Sequence, residues 1–287
     1  MKKIALTTLL FLFTSSSAMA FNFNIDDLKN IDLNKIAKTG KSISQSVRSF
    51  SEEERYYIGR ASGARLLSGH RLLKQRALQD YISAIGLTLA MGSSRPELYA
   101  GYHFIIINEP KLINAYAMPG GFIFITTGLI RKAASEDELA AVLAHEVAHL
   151  VLDHPIGSVK SQYRNALMKD ILAEAGKNAS KQAQKVAKLA GGLNNLSNMM
   201  VDFAAKGYSR SKEEDADMEA ITILKSSGYD PKALPSILAK LHSIGTGISG
   251  THGNAKARAQ AVTKELNHQK KRSIVKARTK RFALIKK

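Results

Sequence analysis

Residues 145–149 read His145-Glu146-Val147-Ala148-His149. On an α-helix, positions four apart lie about 40° apart around the axis. His145 and His149 can therefore hold one ion from one face. Glu146 falls on the adjoining face, placed to touch a water at that ion rather than the ion itself. Leu139, Val142, Leu143, Val147 and Leu150 take the other side and supply the core contact. Ser135-Glu136-Asp137-Glu138 reads as a capping box that opens this helix and carries it to about Leu152. The chemistry needs this spacing: zinc acidifies water, and the carboxylate takes the proton as that water attacks a peptide carbonyl.

A catalytic zinc site takes a third protein ligand and keeps one open position. The chain has no cysteine. That excludes thiolate zinc sites, iron–sulfur clusters, disulfide frameworks, a cysteine nucleophile and a lipid anchor on cysteine, and leaves His and carboxylates. Two arrangements compete. In one, His154 follows His149 closely on the same segment, although the glycine and histidine of the extended metzincin pattern are missing. In the other, a glutamate comes from a separate helix. Ser209-Arg210-Ser211-Lys212-Glu213-Glu214-Asp215-Ala216-Asp217 offers one. There Glu213 can ligate while Asp217, on the same helical face, accepts from the far nitrogen of a ligand histidine, fixing its tautomer. Spacing alone leaves both open, because acidic residues also gather at helix starts for the macrodipole.

Around these motifs the chain reads as α+β. Ser51-Glu52-Glu53-Glu54 is a second capping box, predicting a helix to about Leu67, and another helix covers about Leu73–Met91. Three β-rich runs follow: His103–Asn108, Asn114–Met118 and Phe122–Thr126, the last two separated by Pro119-Gly120-Gly121. Residues 158–206 read as long helices broken at Gly176 and Gly191-Gly192. A helix from near Ser209 ends before Gly228, and Pro231 opens one more to about Ser243. Gly245–Gly253 is a glycine-rich loop, and a basic helix or tail follows Ala255.

Lys2 and Lys3, the apolar run Ile4–Phe13 and Ala18-Met19-Ala20 make the three-part pattern of a cleaved signal peptide. The run is too short for a membrane span, which takes roughly 20 residues. The expected organisation is a signal peptide at 1–20, a leader at 21–50, a catalytic domain at 51–260 and a basic tail at 261–287. The formal charge of +18 raises acidic partners, and export argues against nucleic acid among them.

These motifs resemble a zinc metallopeptidase family, the gluzincin-type family of the HtpX membrane proteases and the CAAX prenyl proteases. The likeness is to its soluble periplasmic, BepA- and LoiP-like branch, and covers about residues 52–260. Asn114-Ala-Tyr-Ala-Met-Pro-Gly-Gly121 is similar to the family's edge strand. Ser209-Arg210 with Glu213, Ala216 and Asp217 is similar to its third-ligand segment, with Asp215 in place of that segment's second glutamate. The resemblance implies a mainly helical zincin domain with a small, mostly antiparallel sheet beside the zinc helix. It implies Glu213 as third metal ligand beside His145 and His149, Asp217 as orienting acid, and one zinc ion per chain. Thr251-His252-Gly253 with Arg258 is similar to the family's Thr-His-Pro segment, with Gly253 for the proline. It makes His252 a substrate or oxyanion stabiliser, or a removable fourth ligand. His154 matches a histidine past the zinc helix and reads as structural; His70, His103, His242 and His268 read as surface or packing residues. No C-terminal helical-repeat domain is read in these residues.

The expected function is a periplasmic zinc endopeptidase. Glu146 is base and then acid, the Asn114–Met118 edge adds an extended polypeptide substrate as a further strand, and misfolded or stalled envelope proteins are the implied substrates. The alternative is a zinc-binding chaperone without turnover, which would not need Glu146. The ten Lys/Arg and one acid of residues 264–287 suggest contact with an anionic envelope surface.

Overall fold

The computed structural model describes residues 50–158, 198, 200–202, 206–244, 252–267 and 276–285. The expected signal peptide, the leader up to residue 49, nearly all of the 158–206 stretch, loop residues 245–251 and His268 lie outside the described residues.

Helix α1 (Glu52–Leu67) starts on the expected capping box: Ser51 Oγ accepts from Glu54 N, and Glu54 returns to Ser51 N. Helix α2 (Arg76–Met91) begins three residues later than expected. The reason is local pairing: Leu73 N donates to Ile106 O and Asn108 N to Arg71 O, which holds residues 71–73 extended against the end of the sheet.

Three strands follow: β1 (His103–Ile107), β2 (Ala115–Met118) and β3 (Phe122–Thr126), in the order β1-β3-β2. β2 runs antiparallel to β3, with Met118 opposite Phe122, whereas β1 runs parallel to β3, with His103 opposite Phe122. The sheet is thus mixed rather than mostly antiparallel, because the β2–β3 hairpin adds to β1 through β3. Side chains alternate between two cores. Phe104, Ile106, Ala115, Ala117, Ile123 and Ile125 face one of them. Ile107, Tyr116, Met118 and Phe124 face the other, which they share with Ile58 and Leu66 of α1. Burial on both faces explains why Phe122–Ile125 reads as a continuous apolar run rather than an alternating one. The hairpin turn needs its glycines. Gly120 and Gly121 have φ of +70° and +95°, and a Cβ on Gly120 would stand 2.3 Å from Tyr56 Cα of α1.

A short helix α3 (Thr127–Lys132) was not expected; Thr126, the last residue of β3, also caps it by accepting from Leu129 N. Helix α4 (Glu136–Val151) is the predicted metal-bearing helix, and every residue from Glu136 to Leu150 is buried. α2, α5 (Arg210–Ser226) and α6 (Ala233–Ile244) pack against it, with α7 (Ala255–Leu266) beyond. The boundary drawn at residue 260 falls inside α7, whose Val262 and Leu266 are core residues, and α8 (Lys276–Ile285) buries Phe282.

The first turn of α4 explains how a helix with three leading acids can be central. Ser135 Oγ caps Glu138 N, but the Glu138 carboxylate takes Ala134 N, Ser236 Oγ and Lys240 Nζ, so the capping box closes on the preceding residue and on α6. Against its burial, these donors hold Glu138 below the ordinary carboxylate range, with Lys240 foremost. Asp137 accepts from Asp230 N and Arg278. Glu136, 1% exposed, accepts from Tyr81 and Tyr229 hydroxyls and from both Arg281 donors. Arg278 and Arg281 of the basic segment thus meet the negative first turn of α4.

Arg281→Ala removes the cation from a fully buried carboxylate. We expect a loss of about 1–3 kcal/mol in urea unfolding, seen as a lower midpoint at unchanged slope. An unchanged midpoint would show that α8 does not anchor α4.

Candidate metal centre

α4 presents His145, Glu146 and His149 toward α5, which carries Glu213 in its first turn and Asp217 one turn on. Ala216 and Ala220, both fully buried, let α5 approach α4 closely. His252 enters from the residues before α7, and Arg258 from α7 itself. All six of these charged or imidazole groups around the pair His145 and His149 are buried: Glu146, Glu213, Asp217, His252, Arg258 and the neighbouring His154.

The geometry is a knot of ligand atoms. His145, His149, Glu213 and His252 each bring one nitrogen or oxygen to within 4.8 Å of all the others. His145 Nε2 lies 3.0 Å from His149 Nε2, 3.4 Å from His252 Nδ1 and 3.3 Å from Glu213 Oε2. His149 Nε2 is 3.6 Å from Glu213 Oε1. Behind His145, its Nδ1 meets Asp217 Oδ1 at 3.1 Å. Asp217 is gripped by Arg258, through Nε at 2.8 Å and Nη2 at 2.6 Å, and Arg258 Nη1 donates to the His252 carbonyl at 2.7 Å. One guanidinium therefore links the acid behind His145 to the segment that carries His252.

The residues present fit a divalent cation. Three buried carboxylates, Glu146, Glu213 and Asp217, face one buried guanidinium, leaving a deficit of two positive charges with neutral imidazoles. Glu146 Oε2 and both Glu213 oxygens have no hydrogen-bond partner. Arg258 Nη1 comes within 2.9 Å of Glu213 Oε2, but off the donor direction. Buried unsatisfied carboxylate oxygens are costly, and a metal ion satisfies them. The nitrogen and oxygen donors suit zinc.

Titration follows the same logic. Burial and Arg258 push the His145 imidazolium down, but Asp217 and Glu213 outweigh them and raise it to about 9. A proton there offsets one of the two uncompensated negative charges. Against burial, His252 and His145 hold the Glu213 carboxyl far below its ordinary range. Burial raises Glu146, and His252 only partly offsets it. Burial, with His145 next, drives His149 well down, and burial with Lys212 takes His154 to about 4, so both rings are neutral.

The structure adds contacts for three residues around the pair. Arg258 was only part of a motif. His154, read as structural, brings its Nδ1 to 2.8 Å from His149 Nδ1, so one ring donates to the other and the far nitrogen of His149 is fixed. Tyr208 stacks on His149 with ring centres 4.4 Å apart, and nothing in the sequence marked it. Glu214 is paired with Arg210 at 2.7 Å on the helix exterior, and Asp215 is exposed. His103 packs on Phe122, His70 pairs with Glu109 and His242 is exposed.

A sequence profile described as peptidase family M48 matches residues 76–266, from the first residue of α2 to the last of α7. The chain is 31% identical over 249 residues to the beta-barrel assembly-enhancing protease of Escherichia coli (strain K12), covering 84% of this chain and 46% of that protein. It is 28% identical over 163 residues to the mitochondrial metalloendopeptidase OMA1 of Arabidopsis thaliana, covering 55% and 30%. It is 27% identical over 155 residues to the metalloprotease YcaL of Escherichia coli (strain K12), covering 52% and 57%. The chain spans about half the length of the curated relatives it matches.

Arg258→Leu strands the Asp217 carboxylate in the interior. Breaking a buried pair from one side costs about 3–5 kcal/mol, and the pair Arg258→Leu/Asp217→Asn should recover more than half of that. Chemical denaturation of the two variants measures it. A single-variant loss below about 1 kcal/mol would mean that the guanidinium does not hold this side of the site.

Proposed function

This chain belongs to peptidase family M48, and from that premise we propose that it is a zinc-dependent endopeptidase acting on polypeptides. The observation that carries the proposal is the pairing of a two-charge deficit with an unpartnered Glu146 oxygen at one buried point. His145, His149 and Glu213 would hold the metal. Zinc supplies Lewis acidity, which acidifies water and polarises a peptide carbonyl.

Glu146 then does the proton work. Its raised affinity for a proton, caused by burial, suits it to take one from the attacking water and return it to the leaving amide nitrogen. Asp217 is a positioning acid: by accepting from His145 Nδ1 it turns Nε2 toward Glu213 and His149. Arg258 fixes Asp217, and His154 does the same for His149. His252 completes the ligand set at 3.4 Å from both His145 Nε2 and Glu213 Oε2. This supports a resting state in which His252 occupies the position a substrate needs, and steps aside when one binds. Gly253, at φ +69°, gives that segment its turn. β2, at the edge of the sheet, would take the extended substrate as a further strand.

The N-terminal export pattern makes the bacterial periplasm the proposed location, with misfolded or stalled envelope proteins as substrates. None of the described helices is long and apolar enough to cross a membrane. Arg278 and Arg281 are spent on Asp137 and Glu136. Any contact with an anionic envelope surface therefore falls to other basic residues, such as Lys264 and Lys280.

Glu146→Gln keeps the ligands and removes the base. Assayed on casein, the zinc-loaded variant should lose activity by about 10²–10⁴-fold while metal analysis still finds one zinc per chain. Undiminished cleavage would refute Glu146 as the base. Chelation of the unaltered protein should abolish cleavage and added zinc restore it.

A further inference from the structure

Asp153 is the one residue other than glycine with a positive φ among the described residues, at +57°. It stands at the exit of α4, just before His154. Leu152 N still bonds Ala148 O and Asp153 N bonds Leu150 O, so the helix ends here and the chain turns back. Helices usually carry glycine at this left-handed position. Glycine would make the turn without strain; aspartate adds a carboxylate to it. Its Oδ1 accepts from two guanidiniums: Arg55 Nη1 of α1, and Arg95 Nη1 at 3.0 Å from the segment between α2 and β1.

Both arginines are themselves held. Arg55 Nε donates to Phe50 O at 3.2 Å and Arg95 Nη2 to Glu52 Oε1 at 2.6 Å, and the Arg95 carbonyl takes the Tyr102 hydroxyl at 2.7 Å. The β2–β3 turn packs on α1 at the same place: a Cβ on Gly120 would stand 2.8 Å from Arg55 O. Beyond the turn, Asp153 O accepts from Gly157 N at 2.9 Å, which starts the helical turn of residues 154–158. Its first residue, His154, sets Nδ1 at 2.8 Å from His149 Nδ1 and its carbonyl at 3.5 Å from Nζ of Lys212, the neighbour of Glu213.

Resting on the reading of this centre as a zinc site, we propose that Asp153 is a positioning residue for it: clamped by Arg55 and Arg95, it fixes the turn that brings His154 to His149 and so aims His149 Nε2 at the metal position. An imidazole can rotate and can carry its proton on either nitrogen. The bond to His154 occupies His149 Nδ1 and leaves Nε2 facing His145 Nε2 at 3.0 Å and Glu213 Oε1 at 3.6 Å. His154 follows Asp153 directly, so any backbone rotation at Asp153 swings that ring away. Two arginines from separate elements on one oxygen oppose the rotation. The Asp153 side chain is 43% exposed, and ion pairs this open to water add little to global stability. The clamp is therefore read in metal binding rather than in unfolding. Arg55 lies outside the span that matches the family; through it α1 acts on the metal centre.

Zinc affinity, measured by competition with a chromophoric chelator, tests this. Asp153→Gly keeps the turn and removes the carboxylate; it should weaken zinc binding about tenfold or more, the effect of losing a group that orients a ligand histidine. Arg55→Gln should weaken it severalfold, and Asp153→Asn, which keeps an acceptor oxygen, should recover most of the loss. His154→Ala should cost at least as much as Asp153→Gly, and the double variant no more than His154→Ala alone. Cobalt(II) in place of zinc reports ligand geometry through its visible absorption, which Asp153→Gly should alter. Arg281→Ala, which loosens α4 at its other end, should leave affinity and spectrum unchanged. If Asp153→Gly fails to fold by circular dichroism, Arg55→Gln reads the same quantity from another element. Folded variants that bind zinc as tightly as the unaltered chain, additive losses from Asp153→Gly and His154→Ala, or an equal loss in Arg281→Ala would overturn the inference and leave the metal site standing. An unaltered chain that binds no zinc would strike both.

Discussion

Three buried carboxylates against one buried guanidinium is the constraint on which the rest of this structure depends. Glu146, Glu213 and Asp217 are each at most 2% exposed, and Arg258 is the only arginine or lysine among the buried side chains of the described residues. Water cannot screen the imbalance, and uncompensated charge in such surroundings is expensive. Each feature of the centre answers it. The imidazoles gather with their nitrogens toward Glu213, Arg258 forks across Asp217, and without a metal His145 holds a proton up to about 9. A divalent cation held by His145, His149 and Glu213 would offset that deficit and would compete with the proton for His145, which would tie metal affinity to pH.

The fold around the centre serves the same demand. A helix that must bring two histidines and a glutamate into a dry interior cannot keep a solvated face, so α4 is buried along nearly its whole length. Its acidic first turn then needs partners, and receives them from remote parts of the chain: Tyr81 of α2, Tyr229 and Lys240 around α6, and Arg278 and Arg281 of α8. α1 and α8 lie outside the span that matches the family. They nonetheless close the far face of the sheet and the head of α4. The basic C-terminal segment is thus partly an internal counter-charge.

Legibility in the sequence followed locality. Ser51 and Ser135 announced α1 and α4 because a capping side chain bonds within its own turn. The strand runs were readable because both faces are apolar. His145, Glu146, His149, Glu213 and Asp217 were readable because each group repeats within one or two helical turns. What depended on distant partners was not. β1 pairs directly and in parallel with β3, although β2 lies between them in the sequence. Residues 71–73 leave the helical pattern for the end of β1. Glu138 abandons its own cap for Lys240, 102 positions away. A run of lysines and arginines gives no sign that two of them match Glu136 and Asp137. Arg258 sat in a recognisable motif, but its role needs Asp217 and the His252 carbonyl in three dimensions.

The central claim is that these side chains are a metal centre. X-ray diffraction from zinc-loaded crystals, with anomalous data collected at the zinc edge, tests it most directly. The account predicts one peak per chain, about 2.0–2.1 Å from His145 Nε2 and His149 Nε2, with a Glu213 oxygen as third protein ligand. A peak elsewhere, or none at full zinc loading with Glu213 still paired only with histidines, would contradict it.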